Sequence, residues 1–299
     1  MGVVDQIQNS CFICKQRMDF FGPWEDYSYF LCAGCKTIQL SPMPSPEDLE
    51  NSYRKQYLEE NAMEISFTPE QWRKASMSYQ QAMVDLVKKH RIKGPLLDFG
   101  AGYGFLVDLL ARKGVAAFGL ELSEPKLAYC RDNGLDVRNG GLDSLDHLRG
   151  SYTGVVMIAV FEHLSGHRDF LHRLHQSLPD DGVLISLHPT SSIYRYLAYL
   201  MRFGQRTREL PTLDGSFAAP WHTALVSVPA MRLLAAEAGF TVEAVERAPQ
   251  GRMDGVLGLV QLLLEAVNRV GWSLLGERWP LVTSHIFLLR KQSGLHVAS

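Results

Sequence analysis

The sequence predicts an α/β fold, a sheet with helices packed against it and a small cysteine module in front, and three observations carry that expectation. A short apolar run, Pro95 to Phe99, passes through the glycine loop Gly100-Ala101-Gly102-Tyr103-Gly104 into a helical pattern from Phe105 to Lys113. A second apolar run, Ala116 to Leu120, follows at once and ends on Glu121. Near the N-terminus two C-x-x-C pairs stand 17 residues apart. The chain has 299 residues, 46% of them hydrophobic, enough for one large α/β core and a small satellite, or two modest domains.

The first residues, Met1 to Gln6, hold no basic stretch leading into an apolar one, as expected of a cytoplasmic protein, and Gln6 breaks the myristoylation pattern. Cys11 and Cys14 then pair with Cys32 and Cys35 in a spacing that reads as a tetrahedral zinc site. A segment of about 40 residues cannot build a hydrophobic core by itself, so the metal is expected to serve as one. Four thiolates leave no open position for water, which makes the zinc structural. Cys130 stands alone and reads as a core residue.

Thr37 to Leu40 can close this knuckle as a strand, and Ser41-Pro42-Met43-Pro44-Ser45-Pro46 ends it. A helix is expected from Pro46 to Tyr57, with Glu47, Asp48 and Glu50 near its start, and another from about Pro69 to His90. The expected organisation is a knuckle at 1–45, a helical connector at 46–92 and a main domain at 93–299, with insertions at about 191–226 and 253–280. The apolar stretch Val256 to Leu275 carries Glu265 and Arg269, so it reads as a buried or interfacial helix and not as a membrane span. With 30 Lys and Arg against 32 Asp and Glu, the net charge of −2 supplies no field for holding a polyanion. The cluster Lys88, Lys89, Arg91 and Lys93 suits the negative end of a helix dipole.

Glycines in the 100–104 loop let backbone approach a ligand closely, and Glu121, 21 residues after Gly100, is placed to bind both hydroxyls of a ribose. A dinucleotide-binding loop would need its third glycine where Phe105 stands. A bulky side chain there would crowd a pyrophosphate, whereas a cofactor without phosphate needs no bare helix N-terminus, and this favours S-adenosylmethionine (SAM) over a dinucleotide.

In Leu97-Asp98-Phe99-Gly100-Ala101-Gly102-Tyr103-Gly104 and Gly119-Leu120-Glu121-Leu122-Ser123 the chain resembles the class I SAM-dependent methyltransferases. The likeness continues through Val137 to Leu142, where that family holds adenine, through Val155 to Val160 with Phe161-Glu162-His163-Leu164, and through Gly182 with Val183 to Leu187. It implies a Rossmann-like, seven-stranded, mostly parallel sheet with helices on both faces, its last strand, Ser284 to Leu289, antiparallel. It also implies cofactor contacts at Asp98, Gly100, Ala101, Gly102, Gly104, Glu121, Leu122 and Leu142, with Asp98 orienting the loop. Thr153 and Gly141 stand where the family usually has acidic residues. The order of knuckle, Pro-rich exit, helices and core resembles a bacterial subgroup acting on sugars, glycans or natural products, although Trp221 precedes His222 where some sugar C-methyltransferases carry Glu.

Methyl transfer is an in-line displacement that needs alignment and exclusion of water, helped by a base when the acceptor is a hydroxyl or carbon acid. His222, beside Trp221 in a loop before a helix, and His163, at the exit of the fourth strand, are the candidate bases; His163 with Glu162 reads equally as a capping or packing pair. His188 is a third choice, and Tyr194, Tyr196 and Tyr199 could line an acceptor cleft. The expected acceptor is a small hydroxylated or glycan-like molecule, methylated on oxygen or carbon, and a homo-oligomer is possible through the insertions. Two rivals stand beside it. One is an RNA methyltransferase, against which the knuckle offers only Lys15 and Arg17 facing Asp19, Glu25 and Asp26; the other is a non-catalytic SAM-fold module, against which the glycine loop is intact.

Overall fold

The computed structural model describes residues 10–24, 27–45, 47–49, 68–195, 216–250 and 255–293. Two sheets organise them. The larger has seven strands: β4 (Leu96–Phe99), β5 (Ala117–Glu121), β6 (Val137–Asn139), β7 (Gly154–Ile158), β8 (Val183–Pro189), β10 (Phe240–Arg247) and β11 (Ser284–Lys291). Their spatial order is β10-β11-β8-β7-β4-β5-β6. Only β11 runs against the rest, pairing antiparallel with both β10 and β8, so the expected mostly parallel sheet with an antiparallel last strand is present.

The helices are α1 (Pro69–Lys89), α2 (Phe105–Arg112), α3 (Glu124–Asp132), the short α4 (Ser144–His147), α5 (His167–Ser177), α6 (Val228–Glu237) and α7 (Gly255–Leu275). In α1 the Thr68 side chain accepts from the Gln71 backbone while Gln71 reaches back to the Thr68 N–H, a capping box that fixes the start one residue before Pro69. Alternation along the central strands sends side chains to opposite faces. Leu96, Val156 and Ile185 meet Val84 and Val87 of α1 and Leu106 and Leu110 of α2. Leu97, Val155 and Leu184 meet Phe170 and Leu174 of α5 and Met231 and Leu234 of α6. Both faces are covered, and every side chain of β4 is buried, as a parallel sheet requires.

The smaller sheet is the knuckle. Strands β1 (Met18–Trp24), β2 (Tyr27–Cys32) and β3 (Ile38–Ser41) form an antiparallel meander, and a two-residue strand β9 (Ala224–Leu225), from beyond the fifth parallel strand, pairs with β3. The module therefore does not depend on a metal for its whole core, as the sequence suggested it would. Phe21, Tyr29, Ile38 and Leu40 pack with Tyr194, Phe217 and Leu225, and the Phe217 ring lies 5.0 Å from both Tyr29 and Tyr194. On its other side the knuckle joins the main core through Cys11, Ile13, Met18 and Phe30. Residues from the far end of the chain supply the apolar surface that the first 45 lack.

Of the other expectations, residues 47–49 are helical, and the remainder of the helix proposed to Tyr57 lies outside the described residues, as do Tyr196, Tyr199 and most of the insertion after β8. Helix α7 is not a core helix along its described side chains: Leu262, Leu263 and Leu274 are each more than 60% exposed.

Candidate functional site

The chain leaves β4, moves outward to β5 and β6, and returns to β7 on the other side of β4. The crevice at the carboxyl ends of strands on either side of such a reversal is where open α/β sheets bind ligands. The glycine loop occupies it. Gly100, Gly102 and Gly104 all have left-handed φ, at 78°, 55° and 70°, which other residues adopt only with strain. A Cβ on Gly100 would lie 2.5 Å from Val160, whereas one on Gly102 would meet nothing within 4 Å, so the loop is packed on its β7 side and open at Gly102. Ala101 rests against Gly119 of β5, where a Cβ would come to 2.5 Å.

Glu121, the last residue of β5, holds the loop in place. Its Oε2 accepts from the Gly102 N–H at 2.8 Å, and its Oε1 accepts from the N–H groups of Leu122 at 2.9 Å and Ser123 at 2.8 Å. Leu122 stands 72% exposed, with the Cβ direction of Gly141 toward it, while Leu142 is half-buried against the core. Asp98, 3% exposed on β4, has its carboxyl pushed up to about 7, first by burial and then by the negative charge of Glu121. Phe105 opens α2 buried, with the Arg73 guanidinium of α1 over its ring at 5.2 Å.

The same end of the sheet brings the two candidate histidines together, although 58 residues separate them in sequence. Beyond β7, Ala159 takes a left-handed φ of 54°, and a single 3-10 turn (Phe161–His163) follows. Backbone strain of this kind clusters at functional sites. The rings of His163 and His222 lie edge to face with centroids 4.8 Å apart. His163 Nδ1 faces the Trp221 carbonyl at 3.1 Å, and His222 Nδ1 faces the Ser216 carbonyl at 3.1 Å. A carbonyl only accepts, so His222 carries its proton on Nδ1 and keeps a lone pair on Nε2, whereas His163 faces the Ala159 carbonyl as well as that of Trp221. Burial holds both rings neutral, His163 down to about 3 with His222 adding to the effect, and His222 below its ordinary value.

Glu162, quoted in the sequence only as the neighbour of His163, belongs to this group. It is 1% exposed, its carboxyl is pushed up to about 8 by burial, and its Oε2 has no hydrogen-bond partner among the described residues. The Glu162 carbonyl accepts from the Thr223 N–H at 2.9 Å and from its hydroxyl at 3.1 Å, which locks the 3-10 turn to the His222 loop. Trp221 places a buried indole N–H nearby, also without a partner among the described residues. His188 lies apart from them in the core, stacked on Phe287 with Nδ1 on the Ser186 hydroxyl.

The knuckle reaches into this arrangement. The Tyr29 hydroxyl donates to the His222 carbonyl at 3.0 Å, and Ser227, the N-cap of α6, donates to the Cys35 carbonyl. Arg168 of α5 donates to the carbonyls of Phe12 and Ile13 while pairing with Glu237 of α6 at 2.7 Å. Within the knuckle the sulfurs of Cys11, Cys14, Cys32 and Cys35 all lie within 4.8 Å of one another, with Cys11 to Cys35 at 3.6 Å and Cys14 to Cys32 at 3.3 Å. None is in a disulfide. A tetrahedral ion with Zn–S bonds of about 2.3 Å spaces its sulfurs at about 3.8 Å, and the cluster fits that geometry. The hydrogen bond from Cys11 and another from Thr37 draw the Cys35 thiol down to about 5, while burial raises Cys32 to about 11. A shallow cleft of about 180 Å³, lined by Arg91, Lys93, Asp181 and Arg290 among others, opens at the opposite, amino ends of β4, β7 and β8.

Compared with known proteins, residues 71–245, more than half of the chain, match the family described as methyltransferase domain. None of the curated proteins matches the chain. Among solved structures the chain is similar to a 1,6-didemethyltoxoflavin-N1-methyltransferase of Burkholderia thailandensis, solved with 1,6-didemethyltoxoflavin and S-adenosylhomocysteine bound, at 14% identity and TM-score 0.53 over 92% of this chain and 100% of that one. It is also similar to a cyclopropane synthase of Mycobacterium tuberculosis, at 20% identity and TM-score 0.50 over 79% of this chain and 88% of that one. At these identities the likeness is one of fold.

Proposed function

Because the chain belongs to the methyltransferase-domain family, we propose that it is an enzyme that transfers the methyl group of SAM to a small hydroxylated or glycan-like acceptor, on oxygen or carbon, beside His163 and His222. The observation that carries the acceptor reading is the convergence of these two neutral imidazoles, 4.8 Å apart, at the same sheet end as the glycine loop. Bound SAM supplies an electrophilic methyl on a sulfonium, so the protein has to orient the partners, exclude water and remove one proton from the acceptor.

In this reading the space above Gly102 receives the cofactor, with Gly100, Ala101 and Gly104 shaping the turn and Asp98 steadying it from below. Glu121 meets the ribose diol. Three backbone N–H groups already occupy its carboxylate, which has room for about four such bonds, so a diol takes the remaining position or displaces the Gly102 N–H. Leu122 and Leu142 offer apolar faces to adenine. His222 takes the acceptor proton on Nε2, with His163 as second base, and Trp221 offers a ring face and a spare N–H to a hydroxylated molecule.

The four thiolates hold a structural zinc in a reducing compartment such as the cytoplasm. RNA is disfavoured as acceptor because Arg17, one of two cations on the knuckle loop, is already paired with Asp19 at 3.1 Å. The test is a methylation screen with labelled SAM over acceptor pools divided into glycans, small metabolites and RNA. Label transferred only to RNA, or to nothing while SAM binds, would overturn the acceptor reading.

A further inference from the structure

The group formed by Glu162, His163 and His222 holds more chemistry than a base requires. One carboxylate oxygen and one nitrogen from each ring lie within 4.8 Å of one another. Metal-binding histidines characteristically donate their second ring N–H to a backbone carbonyl or carboxylate, which fixes the tautomer and aims the lone pair. His222 does this here on the Ser216 carbonyl, and His163 is oriented by the carbonyls of Trp221 and Ala159. Glu162 adds a buried oxygen without a hydrogen-bond partner among the described residues, an arrangement that costs about 1–3 kcal/mol unless something fills it. Thr223 ties the segment carrying Glu162 and His163 to the segment carrying His222 through two hydrogen bonds to one carbonyl, so the three donors are held in mutual register.

We propose that Glu162, His163 and His222 form a metal site separate from the four-cysteine cluster, a two-histidine, one-carboxylate set that takes a single divalent transition metal such as zinc, manganese or iron. Nitrogen and oxygen donors of this type suit such ions, bound at about 2.0–2.2 Å, and three protein ligands leave positions open for outside oxygen atoms. The ion would hold an acceptor hydroxyl at the carboxyl end of β7 and lower its pKa. With the ion bound both imidazoles are ligands, so the base role given to His222 in the metal-free reading passes to a single water molecule. The hydroxyl gives its proton to that water, the new oxygen–methyl bond forms, and the carbon–sulfur bond of the sulfonium breaks to leave a neutral thioether. Binding of the ion stands on the donor geometry alone; its part in methyl transfer rests on the acceptor reading above.

The test counts metal in the whole protein. Wild-type chain equilibrated with zinc and freed of loose metal by gel filtration carries two ions per chain by elemental analysis, and Glu162→Gln and His222→Ala each carry one. Cobalt(II) added to chain whose cysteine cluster is already loaded with zinc gives visible bands without the thiolate charge-transfer absorption of a four-sulfur site. Calorimetry with SAM on the same samples identifies the variants that remain folded, and either variant suffices. Wild-type protein saturating at one ion, or SAM-binding variants retaining two, would overturn the site. Two ions in the wild type and one in the variants, with no hydroxylated acceptor methylated, would uphold the site and sink the acceptor reading.

Discussion

Asp98 shows how one buried carboxyl records what binds beside it. Its folded pKa of about 7 lies above that of an unfolded Asp, so its contribution to stability is complete below about pH 4 and is lost as the pH rises to about 7. A bound sulfonium and ammonium favour the ionised form, so SAM binding near neutrality should release a proton. Its affinity should therefore climb between about pH 6 and pH 8 and then level off. Calorimetry in buffers of different ionisation heat reads the proton directly, and Asp98→Asn should abolish the slope. At Glu121 a charged hydrogen-bond acceptor is at stake, and Glu121→Ala should cost about 1.5–3 kcal/mol in SAM affinity. His222→Ala acts on the other partner: single-turnover methylation should slow about a hundredfold while SAM affinity holds. A fully active His222→Ala enzyme would leave the proton to His163.

The knuckle, as an element, would link a metal held by its four thiols to the proposed acceptor site. Tyr29 holds the His222 carbonyl and β3 pairs with β9 directly after it, so loss of the metal should disturb acceptor chemistry before it disturbs the cofactor loop on the far side of β7. Cys32→Ser should lower zinc by about one ion per chain and depress turnover much more than SAM affinity. Zinc content unchanged in that variant would remove the thiolate assignment. What was legible in the sequence was local: the two C-x-x-C pairs, the glycine loop running from strand to helix, and the span of α1 from about Pro69 each rest on residues close together in the chain. Hidden were contacts between distant segments. No periodicity announces a two-residue strand such as β9, a tyrosine in β2 that grips a loop near residue 222, or a glutamate whose spare oxygen faces that loop from the exit of β7. The four cysteines suggested a module with a metal in place of a core, because the aromatic residue that fills it, Phe217, comes much later in the chain.

Across the whole molecule, buried imidazoles and buried carboxyls pull the response to acid in opposite directions. His167, His188 and His285 are buried in the core with pKa values depressed by desolvation, to about 3 for His167 and His285 and well below the ordinary value for His188. An unfolded chain binds protons on these rings below about pH 6.5 and the folded chain does not, so stability is full above that value and falls as the pH drops toward 3. Each ring that stays neutral down to pH 5 contributes about 2 kcal/mol to that loss. Asp98 and Glu162, raised to about 7 and about 8, take up protons in the folded state over the same range and offset that loss. The gap between denaturant melts at pH 7.5 and pH 5 should therefore widen by several kcal/mol toward lower acid stability in Asp98→Asn/Glu162→Gln, and an unchanged gap would show that the carboxyls are not held neutral. The pairing of β3 with β9 also has a consequence in time. Ile38 and Leu225 are joined across roughly 190 residues, and a ribosome adding about 5–20 residues per second makes the first roughly 10–40 s before the second. Through that interval the nascent hairpin presents an open strand edge with four thiols beside it. An ion captured early by those thiols would keep the edge in register until its partner strand emerges.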